Sequence, residues 1–326
     1  MKEWRGFLAA LLAVLVAPLP AEAQQTLKPV KIGWIAVTPQ DRNRGPEQFR
    51  PIVEHHLRQR GWEPHFELRY AAGDQDRLAR MAAELVKAQL DVIVAPGTNG
   101  AVTTKRATSS IPIVMSSADP LGAGLVASLA RPGANVTGVS AFFDDGVAGK
   151  WVEFLREVGT VRNIAVVSNA TSVVAVERVN AIERAALALG LKTRRLDLRS
   201  ADDVDTVIQL LNQTIQAGLI YDPDLTLLPY APRVMEAPLR QRVPSVVGFA
   251  PQAAVTGALL AYGPSLPEIY RMLAVYVDRI LRGAKPGDLP VEQVRKHDLV
   301  INLKTAKALD LTLPPSLLLR ADQVIE

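Results

Sequence analysis

Short apolar segments alternate with one-faced helical segments along nearly the whole chain, and this alternation restricts the fold more than any other feature. Val30–Val37 reads as a buried strand. After a polar loop, Phe49, Ile52, Val53, His56 and Leu57 recur at helical spacing, until Gly61 stops the helix. Residues 64–70 resume as a strand, and Leu78, Met81, Ala82, Leu85 and Val86 mark a second helix. Asp91–Ala95 and Ile111–Met115 are further strands, separated by a Thr/Ala-rich helix. A second series starts near Asp144, with strands at Ile164–Val167, Lys192–Leu198, Gly218–Tyr221 and Ser245–Phe249. Its helices fall near 147–158, 173–189, 202–216 and 230–241. Such alternation predicts parallel sheets covered on both faces. One sheet would need too many strands, so the reading is α/β with two doubly wound, Rossmann-like lobes. In the tail, Leu266, Ile269, Leu273, Val277 and Ile280 form a helical stripe, and a Pro/Gly-rich segment leads to a strand around Val300. A tail of this kind can recross between lobes and build a multi-strand hinge.

The first residues read differently. Lys2 and Arg5 precede an apolar run from Phe7 to Leu19, which ends in Ala21-Glu22-Ala23. The run is shorter than the roughly 20 residues needed to cross a bilayer. It is expected to be a cleaved export signal over residues 1–23, leaving a soluble periplasmic protein. The chain has no cysteine, which excludes disulfides, thiolate metal sites and a cysteine nucleophile. The formal charge is +4, with the positive residues scattered rather than clustered, so nucleic acid is not an expected partner. Dinucleotide, P-loop and nucleophile-elbow signatures are missing. The histidines do not form a metal-ligand pattern, and neither cofactor nor metal is expected.

Ligands of open α/β sheets bind beyond the carboxyl ends of the strands. In the first series that rule selects Gly97 and Thr98, at a helix start whose amides favour a carboxylate; a plain helix cap is the competing reading. It also selects Ser116 and Ser117, with nearby Asp119 assigned to a turn before Pro120. In the second series it selects Asn169, Tyr221 and Asp222. Asp222 is either the partner of a ligand ammonium, with Tyr221 as a wall, or the cap of the turn before Pro223. Phe142, Phe249 and Tyr262 are candidate aromatic contacts, with cleft-edge packing as the alternative. Together these residues favour a small organic ligand.

Several segments carry a resemblance to a known family. They are Ile111–Val114, the stretch Asp119–Gly133 with Asn135-Val136-Thr137-Gly138, Tyr262-Gly263-Pro264-Ser265, Leu289–Gln293 and Leu299–Ala306. From about Lys31 to Glu326 the chain resembles the solute-binding proteins of bacterial ABC importers, in the branch with tryptophan/tyrosine-binding-like proteins and the type 1 periplasmic-binding architecture. The resemblance implies three crossovers between lobes, an interlobe site for an amino acid or an aromatic or other small carboxylate, and delivery to an ABC permease. It puts the carboxylate anchor at Gly97-Thr98 and polar second-lobe contacts at Asn169 and Asp222. The charged loop 38–44 departs from the family pattern, where Arg42 either reaches an acidic ligand or faces solvent. The expected lobes are 28–142 with 266–288, and 143–265 with 289–326, in a monomeric, non-enzymatic binding protein. A periplasmic sensing module and an exported α/β enzyme are the alternatives.

Overall fold

A computed structural model describes residues 27–38, 45–141, 145–159, 161–213, 217–224 and 226–326. The proposed export signal, and the candidates Arg42 and Phe142, lie outside these residues. In the first half, strands and helices alternate as β1 (Lys28–Ala36), α1 (Arg50–Gln59), β2 (Trp62–Tyr70), α2 (Gln75–Lys87), β3 (Val92–Pro96), α3 (Thr98–Ala107), β4 (Ile113–Ser117) and β5 (Val136–Ser140). The second half continues with α4 (Asp145–Val158), β6 (Asn163–Ser168), α5 (Val173–Ala188), β7 (Lys192–Asp197), α6 (Val204–Asn212), β8 (Ala217–Tyr221), α7 (Ala231–Arg240), β9 (Ser245–Val247), α8 (Ala250–Thr256) and β10 (Leu260–Pro264). The tail adds α9 (Leu266–Leu281), β11 (Glu292–Gln293), β12 (His297–Asn302), α10 (Leu303–Ala308), α11 (Pro315–Leu318) and β13 (Gln323–Ile325).

Two sheets result. Lobe one has the order β11-β5-β4-β3-β1-β2 with every pairing parallel. Lobe two has the order β13-β12-β10-β9-β8-β6-β7, in which only β10 and β12 run antiparallel. Alternation along each strand sends side chains to opposite cores. In β1, Ile32, Trp34 and Ala36 join α1 and α9, while Ile35 joins α2 and α3. In β6, Ile164 and Val166 meet α4 and α5, while Ala165 and Val167 meet α6 to α8. Gly138 lets β5 lie against β4. Its φ is +139°, and a Cβ there would stand 2.1 Å from the Met115 carbonyl oxygen.

The chain passes between lobes three times: after β5, between β10 and α9, and between β11 and β12. The last two crossings are joined by the Ser265 amide donating to the Lys296 carbonyl at 2.9 Å. The third crossing corrects the expected boundary at 288/289. Residues 289–294 stay on lobe one, where β11 pairs with β5, Thr137 Oγ1 donates to the Leu289 carbonyl at 2.7 Å and the Val294 amide donates to Ser140 at 3.1 Å. The open edge of β5 and burial of Val291 and Val294 decide the matter, and neither is visible in a Pro-rich stretch read locally. The short α8, β11 and β13 were likewise not anticipated.

The returning helix α9 is fastened to β2 by a buried carboxylate. Trp62 Nε1 donates to Asp278 Oδ1 at 2.7 Å, and Arg282 Nε donates to Asp278 at 2.9 and 3.1 Å. Burial opposes the charge on Asp278, but the hydrogen bonds from Arg282 and Trp62 outweigh it and hold the carboxyl below its ordinary 3.8. A depressed folded pKa contributes stability that is present above the ordinary value and lost as pH falls through the folded one. Asp278→Ala is therefore expected to cost about 1–3 kcal/mol at pH 7, because the Trp62 N–H is left without a partner. The deficit relative to wild type should shrink as the pH is taken well below 3.8 in paired urea titrations. A deficit that does not change with pH would show that the carboxylate's charge is not what fastens the helix.

Candidate functional site

The carboxyl ends of both sheets face one cavity of about 120 Å³, bordered by the loops that leave β1, β3, β4, β6, β8 and β9 and by the start of α9. Its wall is mostly apolar with a few polar points, a composition suited to a small amphiphilic molecule.

On lobe one the polar points come from two adjacent strand ends. Gly97, at φ +94°, caps α3 and aims the first turn of that helix at the cavity. Its amide donates to the Ser116 carbonyl at 2.9 Å and lies 3.2 Å from Ser116 Oγ. Thr98 Oγ1 and Ser117 Oγ share a 3.0 Å hydrogen bond, and the Ala118 amide donates to Thr98 Oγ1 at 3.3 Å. The two loops thus brace each other, and the helix's first amides, which have no acceptor inside the helix, stand at the cavity. The rest of this wall is largely apolar: Val37, Pro96, Ala141, Leu266 and Ile269, with Tyr270.

Lobe two carries the charge. Ser172 caps α5 by accepting from the Ala175 amide at 3.3 Å. Arg178, farther along the same helix, also borders the cavity but is 6% exposed. Its Nε and Nη2 donate to the two oxygens of Asp222 at 2.9 and 2.6 Å, a bidentate pair sealed from water. Complete burial pushes the Asp222 carboxyl above its ordinary range, and the Arg178 guanidinium opposes that shift. Asp222 Oδ1 also accepts from the Asp224 amide at 2.8 Å. That turn presents Asp224 to the cavity, with Oδ1 taken by the Thr226 amide and hydroxyl at 2.9 and 2.8 Å. Its Oδ2 accepts no hydrogen bond from the described residues. Arg178, Asp222 and Asp224 together carry a formal charge of −1.

Of the residues selected from sequence, Gly97, Thr98, Ser116, Ser117 and Phe249 border the cavity. Asp222 does not: its carboxylate is consumed by Arg178 and by the turn, so the turn-cap alternative describes it better than a ligand contact. Tyr221 points into lobe two's core, its hydroxyl donating to the Leu227 carbonyl at 2.7 Å. Asn169 stands behind the wall. Its Oδ1 accepts from the Thr171 amide and hydroxyl, while its Nδ2 is 3.5 Å from Thr226 Oγ1. Tyr262 turns to the hinge, stacked on His297 at 5.6 Å and edge-on to Phe154 at 5.3 Å. Asp119 fastens its turn as expected, accepting from the Leu121 and Gly122 amides. Arg178, Asp224, Thr226 and Tyr270 were missed. Arg178 had a signal: it falls three residues after Ala175 and four before Ile182, a charge set in an otherwise buried apolar stripe.

Residues 52–325 match a family model described as ABC transporter substrate binding protein. A tyrosine-binding protein of Clostridioides difficile (strain R20291) is 26% identical over 244 residues, 74% of this chain and 69% of that protein. Among solved structures, an ABC domain in complex with L-Trp from Streptococcus pneumonia superposes with a TM-score of 0.82 at 25% identity. That alignment covers 91% of this chain and all of the other. A conserved domain protein from Vibrio cholerae O1 biovar eltor gives 0.79 at 27% identity, covering 92% and 99%. The two-lobed α/β architecture is that of the type 1 periplasmic-binding proteins.

The ion pair yields a stability prediction. Arg178→Met leaves Asp222 buried without its partner and is expected to cost about 3–5 kcal/mol. The double variant Arg178→Met/Asp222→Leu should recover most of that loss in denaturant titrations, because an apolar pair avoids the desolvation cost of the ions. A double variant as unstable as the single one would mean that the pair organises lobe two beyond satisfying its own charges.

Proposed function

The chain belongs to the ABC transporter substrate-binding protein family, and we propose that it captures a free amino acid in the cleft between its lobes and delivers it to a membrane permease. The observation that carries this reading is the open carboxylate of Asp224, in a cavity whose other wall offers helix-start amides. An α-ammonium satisfies Asp224 Oδ2. The α-carboxylate is then accepted by the first-turn amides of α3 with Thr98 nearby, and the Arg178 guanidinium adds favourable potential from lobe two. The ammonium role expected of Asp222 passes to Asp224, while Asp222 serves as the positioning residue for Arg178. A carboxylate lacking an ammonium would bring a second negative charge beside Asp224, which narrows the ligand class to zwitterions. The tyrosine-binding relative and the L-Trp complex support an amino acid with a large side chain.

Capture needs no covalent step. Ligand contacts come from both lobes, so the closed arrangement is favoured by the contacts it adds over the open one. The three chain crossings confine the motion to a hinge. Capture is assigned to the periplasm, with Phe7–Leu19 as part of the export signal.

Calorimetry on the mature protein tests the assignment. Asp224→Asn should weaken binding of L-tryptophan and L-tyrosine roughly a hundredfold, as expected for removing one member of a desolvated charge pair. Binding of the deaminated acids, 3-indolepropionate and 3-(4-hydroxyphenyl)propionate, should change little or improve. Equal losses for amino acids and deaminated acids would overturn Asp224 as the ammonium partner. Saturable binding of sugars or nucleosides, with no amino acid bound, would overturn the ligand class.

A further inference from the structure

Resting on the amino-acid reading, we propose that Tyr270 reads a hydrogen-bonding group at the far end of the ligand's side chain, so that the cleft selects tyrosine- or tryptophan-like rings over phenylalanine. Arg178 and Asp224 stand on lobe two, and the apolar wall of Val37, Leu266 and Ile269 stands on lobe one. A ligand whose ammonium sits at Asp224 therefore directs its side chain toward lobe one, where Tyr270 is the polar-tipped residue of that wall.

The placement of Tyr270 leaves its hydroxyl as the informative atom. Trp34 stacks on its ring at 5.8 Å and 17°, and Phe49 stacks at 5.0 Å and 11°. Held by these two stacked neighbours, Tyr270 borders the cavity. Packing of that column needs an aromatic ring and makes no use of the hydroxyl, which has no hydrogen-bond partner among the described residues. Burial, and to a lesser degree Tyr70, hold the phenol well above its ordinary pKa, so it stays protonated as both donor and acceptor.

A second observation points to the same quarter of lobe one. Four buried side-chain polar atoms among the described residues lack a partner there, and three belong to lobe one: Trp34 Nε1, Thr38 Oγ1 and Gln48 Nε2. Trp34 is in the stack itself, Gln48 precedes Phe49, and Thr38 follows the cavity residue Val37. Native interiors satisfy nearly all buried polar groups, so a tyrosine hydroxyl in the cavity wall calls for a polar atom from the ligand. A ring bearing O–H or N–H supplies one at Tyr270. A phenyl ring covers the hydroxyl and supplies none.

Titration calorimetry of the mature protein with L-tyrosine, L-tryptophan and L-phenylalanine tests this. In wild type, phenylalanine should bind about ten- to a hundredfold more weakly than the better of the other two, the cost of burying an unpaired hydroxyl. Tyr270→Phe keeps the stacked ring and should close that gap to about threefold or less. The change should come from weaker tyrosine or tryptophan binding, with phenylalanine unchanged or tighter. Two results would overturn the assignment: no discrimination against phenylalanine in wild type, or a uniform loss for all three in Tyr270→Phe. If none of the three binds wild type, the amino-acid reading falls and takes this one with it. Binding with an unaltered ranking in the variant removes only the role of Tyr270.

Discussion

Strands buried on both faces leave a chain few places for polar side chains that are free of a desolvation cost, and the carboxyl edge of a parallel sheet is one of them. Both sheets are built this way, with β1, β3, β4, β6 and β8 buried along most of their length. Polar residues that look scattered in sequence are thereby gathered at one edge of each lobe. The hinge sets these two edges against each other, and the cavity is what lies between them. Neither lobe alone forms the cavity wall. Lobe one contributes amides, hydroxyls and an apolar wall, and lobe two contributes the charges.

Charge placement in lobe two follows a hierarchy of burial. Arg178 is nearly sealed, so its charge had to be matched from within, and Asp222 does so with both carboxylate oxygens. Asp224, two residues on, is left to the cavity because the same turn holds it outward and Thr226 occupies only one of its oxygens. The two aspartates have the same chemistry and nearly the same position in the chain, yet one serves the protein and the other faces the ligand space.

That contrast shows what was legible in the sequence. Signals that repeat locally could be read: the strand-helix alternation, the two-lobe division, and the strand-end loops at Gly97-Thr98 and Ser116-Ser117. Features that depend on a distant partner could not. Choosing between Asp222 and Asp224 requires knowing that a guanidinium 44 residues earlier faces that turn. Tyr262 ends a strand as the aromatic rule expects, but its ring is claimed by His297 from the next crossing. Residues 289–294 join lobe one through the open edge of β5, a backbone property that leaves no mark on side-chain pattern. Tyr270 follows Ile269 of the helical stripe and was passed over, because its place in the stacked column depends on Trp34 and Phe49 from distant parts of the chain.

The threading of the tail also sets an order of events. Lobe one cannot bury its β1 face until α9 has been made, or complete its sheet until β11 arrives, and lobe two lacks β12 and β13 until the last residues of the chain. These contacts span large sequence separations, and folding topologies of that kind are slow to close. During vectorial synthesis the nascent chain therefore exposes two unfinished sheets until β11 and β13 have been made. The two walls of the cavity come into being together and late, since each needs strands or helices from the tail.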